Sequence, residues 1–564
     1  MKEEVYSQGQ NEEDLGMGGG KMKPLRDYQK RCEAAIFKEW NTVTSTLCVI
    51  PTGGGKTRIA AEIVKRFLPK RTMFVAHRKE LIFQARDAID EIICTGNDLF
   101  HSAGCEIEMA GLYAHHQLNH YSPVVAMVQS LNSKNGNGRR MDRFRPEDFG
   151  LLVIDEFHHS VSETYKSVIN FFKRNPELKI LGLTATPDRM DEEALGQVCD
   201  SVAFDYEILD AINDGWLVPV EQVMVPIKGL DFSHVKTVAG DLNQTDLAAI
   251  MEAESVIQGV VQPVLELMYG RSPHSLDKAD PQEWGQLLGD SKPRRTLIFT
   301  VSVAQAEMLS NVFNRVQTGL SDWVCGKTPE QQRIDLLNRY SRGEIPIMVN
   351  CNCLSEGFDS PGVEIVVQAR PTKSRSLYAQ QVGRATRPLA GTTDKVETAA
   401  LRRQAIAESA KPACLVVDFV GNSGKHKLMT TVDILGGNVS EDALELAHRK
   451  LMALGTAADT AKVIKEAQED IHAELEKRRR EEEARKLKVI AKSSYSIRQV
   501  NPFDVLDISP VKSRGWDQGK VLSERQRALL FKQGINPADI SYAQARQIIG
   551  ELFNRWEHKQ ASFR

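Results

Sequence analysis

TLCVIPTGGGKT, Thr46–Thr57, carries the signal that sets the fold class of this chain. The run Thr46–Ile50 has the composition of a buried strand, and an amphipathic pattern starts near Arg58. Between them lies a glycine turn, and a strand, glycine turn and helix in that order make a phosphate loop. Its glycines let backbone N–H groups face phosphate oxygens, and the helix N-terminus adds its dipole. Pro51, Thr52, Gly53, Gly54 and Gly55 are thereby the cradle for a nucleoside triphosphate. Lys56 reaches the β- and γ-phosphates, and the hydroxyl of Thr57 ligates Mg²⁺. Ile50 stands where the generic pattern has glycine.

Outward from this loop, short β-rich runs alternate with longer amphipathic stretches. Thr72–Ala76, Val124–Val128, Leu151–Asp155 and Ile180–Ala185 read as further strands. Apolar throughout, they belong to a parallel sheet covered by helices on both faces. The alternation returns at Thr296–Thr300, Pro346–Asn350, Val363–Ala369 and Ala413–Val420, so a second α/β sheet follows the first. The length of 564 residues independently requires more than one core.

The divisions follow from these patterns. Residues 1–22, acidic and Gly-rich with no apolar core, read as a disordered tail and not a signal peptide. The first α/β domain covers 23–215, and 216–295 hold a connecting strand, a helical stretch and a polar insert. The second α/β domain covers 296–436. A charged helical extension occupies 437–500, a linker 501–520, and a small helical module 521–564. The run EKRRREEEARK, Glu476–Lys486, reads as a solvated helix face.

Composition limits the partners. No apolar run approaches the ~20 residues that span a bilayer, so no membrane is expected. Nine cysteines without a CxxC pair point to buried thiols in the cytoplasm or another reducing intracellular compartment, not to a secreted protein or a zinc site. The formal charge of −3 means that a basic surface for nucleic acid has to be local.

Two further constellations carry chemistry. The apolar strand LLVID runs into Asp155 and Glu156, followed by Phe157 and His158. A carboxylate at that strand end suits the metal ion, and its neighbour suits orienting and deprotonating a water. Downstream, Gln380, Arg384 and Arg387 are spaced to share one helix face, and paired guanidiniums match the charge building on a transferring phosphoryl group.

The order PTGGGKT, DEFH, TAT, SEGFD and QQVGRATRP resembles the superfamily II helicases, in the branch of type III restriction motor subunits and repair helicases. The resemblance covers roughly 23–436. It implies an α/β fold of two tandem RecA-like P-loop NTPase domains, here with a C-terminal α-helical extension. ATP would lie between the lobes with Mg²⁺ on Thr57 and Asp155, and nucleic acid across both. Residue by residue, it implies adenine recognition by Arg26 and Gln29, and backbone grips by Arg78, Gln84, Gln129 and Ser130. Thr184 and Thr186 would couple hydrolysis to lobe movement. In the second lobe Gly357 and Asp359 would approach the nucleotide, and Thr372 and Ser374 the nucleic acid. The branch implies DNA in preference to RNA.

Other classes fit less well. A kinase, GTPase or transporter ATPase explains Lys56 but requires no second lobe with QxxGRxxR. An inactive helicase-derived scaffold predicts damage to Lys56, the acidic pair or the arginines, and all are intact. A duplex translocase or the motor subunit of a larger complex remains beside the strand-separating helicase. The C-terminal module, with Arg525, Arg527, Lys532, Arg546, Arg555 and Trp556, reads either as a plain helical domain or as a docking point for nucleic acid or for a replication or repair protein.

Overall fold

The computed structural model describes residues 24–94, 104–115, 121–136, 138–185, 198–238, 240–271, 274–277, 279–289, 291–354, 360–423, 426–436, 439–490, 503, 506, 508–511, 515–517 and 519–561. Residues 1–22, Thr186, Gly357 and Asp359 therefore lie outside the described residues.

The first lobe is an all-parallel seven-stranded sheet. In chain order its strands are β1 Ser45–Val49, β2 Arg71–Ala76, β3 Glu106–Glu108, β4 Val124–Met127, β5 Phe149–Ile154, β6 Lys179–Thr184 and β7 Ser201–Asp205. Their order across the sheet is β3-β4-β2-β5-β6-β1-β7. Strands β1, β2 and β5 are buried along their whole length, which is why they read as unbroken apolar runs. Val49 pairs with Thr184, and Ile154 with Gly182. Flush strands of one direction bring the phosphate loop, the acidic pair and Thr184 to the same edge, where ligands bind in such sheets.

The second lobe repeats the design. Its strands are β8 Val220–Asp231, β9 Thr296–Thr300, β10 Ser321–Cys325, β11 Ile347–Cys351, β12 Ile365–Ala369, β13 Cys414–Asn422 and β14 Ala458–Asp459. They lie in the order β10-β11-β9-β12-β13-β8-β14, parallel except for β14. The connecting strand thus belongs to this sheet, where it pairs with β13 from Val220 to Pro226. After it come a hairpin, Thr237–Val238 with Asp241–Leu242, and the helices Gln244–Met251 and Glu254–Met268. Val260, Val264 and Leu265 of the longer helix join Ile298, Val367 and Phe419 of the sheet in one core.

Helices Glu441–Leu454 and Thr460–Ile490 continue the chain, their buried Ala447, Leu451 and Ala467 within the main core. From Glu474 to Arg480 the longer helix carries exposed i,i+4 ion pairs, Arg478–Glu474 and Arg480–Glu476. The last residues form a module with its own small core, and the preceding Trp516 is buried in the core of the first lobe. Among the described residues, no helix is long and apolar enough to cross a membrane.

One packing detail ties sheet to site. A Cβ on Gly182 of β6 would stand 2.6 Å from the ring of Phe157, the residue after the acidic pair. Gly182→Ala is expected to push Phe157 away, cost about 1–3 kcal/mol of stability as overpacking does, and lower ATP turnover. Thermal melting and steady-state hydrolysis measured together check both effects.

Candidate active site

The phosphate loop is held in shape from behind. Gly53 and Gly55 have φ of 83° and 77°, the left-handed region that glycine enters without strain. Gly54 N–H donates to the carbonyl of Pro51 at 2.9 Å. The Gly54 carbonyl accepts the hydroxyl of Tyr28 at 2.5 Å and the amide of Gln29 at 3.3 Å. The other end of the Gln29 amide accepts from Arg26 N–H at 2.9 Å. Gln29 therefore braces the loop, and Tyr28, absent from the sequence reading, does so beside it.

Lys56 opens the helix Lys56–Phe67 and pairs with Glu156 across 2.9 Å, the two side chains 12% and 8% exposed. Glu156 reaches it because its backbone takes φ 47°, a left-handed conformation that costs a non-glycine residue about 1–3 kcal/mol. The buried Asp155 beside it accepts the Glu156 N–H at 3.0 Å. His158 then stands 3.5 Å from Glu156 and 3.3 Å from the hydroxyl of Thr184. Lys56, Glu156, His158 and Thr184 so form a continuous polar chain from the loop to the strand end. The motif order assigns His158 no role; its contact with Thr184 on β6 does.

The other lobe closes on this loop. Ser374 caps the helix Arg375–Val382, its hydroxyl accepting from Leu377 N–H at 3.2 Å. The helix ends at Val382 with Gly383 as its C-cap, so Gln380, Arg384 and Arg387 do not share the expected helix face. The backbone goes on in tight turns, with Thr386 Oγ1 donating to the Gly383 carbonyl at 3.1 Å. Pro388 shortly after cannot continue a helix. What brings the arginines to the loop is contact with the first lobe. A Cβ on Gly383 would lie 2.6 Å from Thr52 Cβ, and one on Gly53 only 3.0 Å from Arg387 Nε. Arg384 and Gln380 are buried as well, and the Gln380 amide nitrogen has no hydrogen-bond partner among the described residues. Such an orphaned buried donor fits a site completed by a ligand.

Burial, with Arg26 alongside, pulls the Arg387 guanidinium down to about 10, still cationic at neutral pH. Behind it Lys411, fully buried, donates to the carbonyls of Arg387 at 2.7 Å and Pro361 at 2.8 Å. That lysine straps the arginine turn to the segment after SEGFD, and burial lowers its ammonium to about 8.

The lobes are also pinned through Trp216. Its ring lies between the guanidiniums of Arg26, 4.3 Å away, and Arg402, 3.9 Å away. Arg402 Nε donates to the Asp214 carbonyl at 2.8 Å, and Val218 N–H to the Thr386 carbonyl at 2.8 Å. No spacing in the sequence joins Arg26, Trp216 and Arg402.

The expected nucleic-acid grips divide. Arg78, half-buried, precedes the helix Lys79–Ile93, on which Gln84 is exposed; Gln129 is exposed and donates to the His77 carbonyl at 3.3 Å. Ser130 accepts from Ala110 N–H at 3.2 Å. Thr372 is buried and donates to Asp241 at 2.8 Å, so the insert hairpin covers it, while Ser374 is spent on its cap. Two ion pairs cross between the lobes beside Arg78: Lys79 with Glu330 at 3.0 Å, and Glu80 with Arg333 at 3.4 Å.

Thr57 and Asp155 offer hard oxygen donors, the kind magnesium takes. Among the described residues, no group of three or more His, Cys, Asp or Glu forms a metal site. Two protein oxygens fit an ion that takes its other ligands from phosphate and water.

Residues 22–189 match the family "Type III restriction enzyme, res subunit", and 281–388 match "Helicase conserved C-terminal domain". The ATP-dependent helicase candidate IRC3 of Saccharomyces cerevisiae is 28% identical over 414 residues, 71% of this chain. The chain spans only 52% of that relative's length. The DNA 3'-5' translocase XPB2 of Sulfurisphaera tokodaii is 24% identical over 394 residues, 64% of this chain and 78% of that one. The structure of a type ISP restriction-modification enzyme, LlaBIII, bound to DNA superposes with TM-score 0.47 at 16% identity, over 72% of this chain and 32% of that one.

A buried carboxyl under the arginine-bearing helix gives a pH test. Tyr378 donates to Asp418 at 2.6 Å, and burial pushes that carboxyl up to about 7. The folded chain keeps this proton over a range in which the unfolded chain has released it, from its ordinary 3.8 upward. Stability from this group is present below that value and declines as pH rises through about 7. Asp418→Asn is expected to raise the melting temperature more at about pH 8 than at about pH 5, as paired thermal melts will show.

Proposed function

We propose that the chain is an ATP-dependent helicase of superfamily II, in the branch of type III restriction motors and repair helicases, which turns ATP hydrolysis between its lobes into translocation along DNA with strand separation. The observation that carries the reading is the approach of Arg387 to Gly53, which joins groups more than 300 residues apart in one site. In this reading ATP lies with its phosphates against Gly53, Gly54, Gly55 and Lys56. Thr57 and Asp155 would hold a magnesium ion, whose charge would neutralise phosphate oxygens. The phosphates compete with Glu156 for Lys56. Their arrival frees Glu156 to orient water and take its proton. Arg384 and Arg387 stabilise the charge on the transferring group and act only while the lobes are in contact.

Because hydrolysis requires the lobes together and product release lets them part, each turnover changes the spacing between the grips on either side. Arg78, Gln84 and Gln129 are the proposed grips of the first lobe. Contacts to the nucleic-acid backbone position without reading sequence, so binding is expected to be sequence-tolerant and weakened by salt. DNA is favoured over RNA by the branch and by the name of the XPB2 relative. That name also favours a second reading, movement along duplex DNA without separation of its strands.

Two measurements test the cycle. Glu156→Gln is expected to lower turnover by about 10²-fold or more while retaining nucleotide binding, read with a fluorescent ATP analogue. Arg387→Ala is expected to lose on the order of 10³-fold in turnover with the fold intact. Hydrolysis assayed with single-stranded DNA, duplex DNA and RNA, with Lys56→Ala as control, tests the motor itself. A rate indifferent to all three polymers would overturn it.

A further inference from the structure

The C-terminal module buries Leu522, Leu530, Ala545 and Ile548 in a core of its own. Outside that core Val521 is 70% exposed and Phe531 61%, the two highest values among the exposed large hydrophobic residues of the described chain. They are not scattered: both line one concavity of about 370 Å³. Paired exposed apolar groups of this kind mark a surface that binds something.

The charge around them is one-sided. Arg527 lies one helical turn before Phe531 on the helix Glu524–Lys532, so guanidinium and ring share a face. Lys520 borders the concavity next to Val521, and none of the described residues that line it is a carboxylate. In a chain of formal charge −3 this is a local cationic rim around an apolar hollow. Pro537, Ala538 and Ile540 supply aliphatic walls.

We propose that this concavity docks an acidic peptide segment of a partner protein, anchored by one large apolar side chain. The apolar side chain fills the hollow beside Phe531, and its neighbouring carboxylates pair with Arg527 and Lys520. Single-stranded nucleic acid also joins cations to rings, but it binds through successive flat faces on which bases stack. Here Phe531 is the one exposed ring among the described lining residues, the facing walls Pro537, Ala538 and Ile540 are aliphatic, and Tyr542 is partly buried against the module's own core. Through Trp516, which is buried in the core of the first lobe, a docked partner is tied to that lobe. The site stands apart from the ATP cycle, so neither proposal depends on the other.

The test is fluorescence anisotropy on the full chain. The probe is a labelled peptide of four aspartates followed by leucine and phenylalanine, with a labelled oligo-dT of similar length alongside. Peptide binding is expected, weakened roughly tenfold, a loss of about 1.4 kcal/mol, by Arg527→Glu, by Phe531→Ser, and by asparagine in place of the peptide aspartates. Melting temperature and basal ATP hydrolysis are expected to stay unchanged in both variants. The proposal is overturned if the peptide does not bind, or if both variants bind it as the parent does. It is also overturned if the two substitutions weaken oligo-dT binding and leave peptide binding intact, because the surface would then serve nucleic acid.

Discussion

Gly383 lies against Thr52, and Gly53 lies against Arg387, at separations that leave no room for an added Cβ without displacement. A close approach of this kind is a steric condition before it is a chemical one. Glycine on both sides lets the backbone of one lobe come within reach of the phosphate loop of the other. Without that approach Arg384 and Arg387 would be cations on the rim of the second sheet. With it they enter a low-dielectric cleft, where fixed charge acts strongly on developing charge.

The interior of the cleft is a chain of polar contacts that reports on itself. Lys56 is neutralised by Glu156, Glu156 is approached by His158, and His158 meets Thr184 at the end of β6. A buried ion pair is costly to break unless each member gains another partner. A phosphate group offers that partner to Lys56 and leaves the freed carboxylate beside His158. The left-handed backbone at Glu156 is a strain that the surrounding packing has to hold, with Phe157 wedged over Gly182. In the proposed cycle these contacts would link nucleotide binding and proton transfer to the strand end.

Other contacts decide how the lobes are held apart from this chemistry. Trp216 between Arg26 and Arg402 is a double cation–π contact across the join. The ion pairs Lys79–Glu330 and Glu80–Arg333 are more exposed, and such pairs contribute little individually and weaken with salt. A half-buried aromatic clamp with more exposed electrostatic contacts around it suits two bodies that stay joined while their cleft changes.

Much of this was legible in the sequence. Unbroken apolar runs marked the doubly covered strands, and each of the nine runs singled out lies in a strand, with ends shifted by a residue or two. The motifs identified the family because their chemistry forces residue type and order together. The short strand Glu106–Glu108, with its mixed burial, left no such run. The pairing of Val220–Asp231 with the second sheet was equally illegible, since a strand does not announce which edge it joins.

The sequence by itself determined the two α/β sheets, the phosphate loop and the residue types that handle phosphate, because local periodicity and glycine geometry are properties of short segments. Only the tertiary structure decided that the arginine helix stops at Val382 and that lobe contact aligns Arg387. It alone also spent Thr372 on Asp241 and put Tyr28, His158, Trp216 and Lys411 into the machinery. Those outcomes are contacts between segments distant along the chain. Their energies come from burial and charge at short range in space, which spacing along the sequence does not encode.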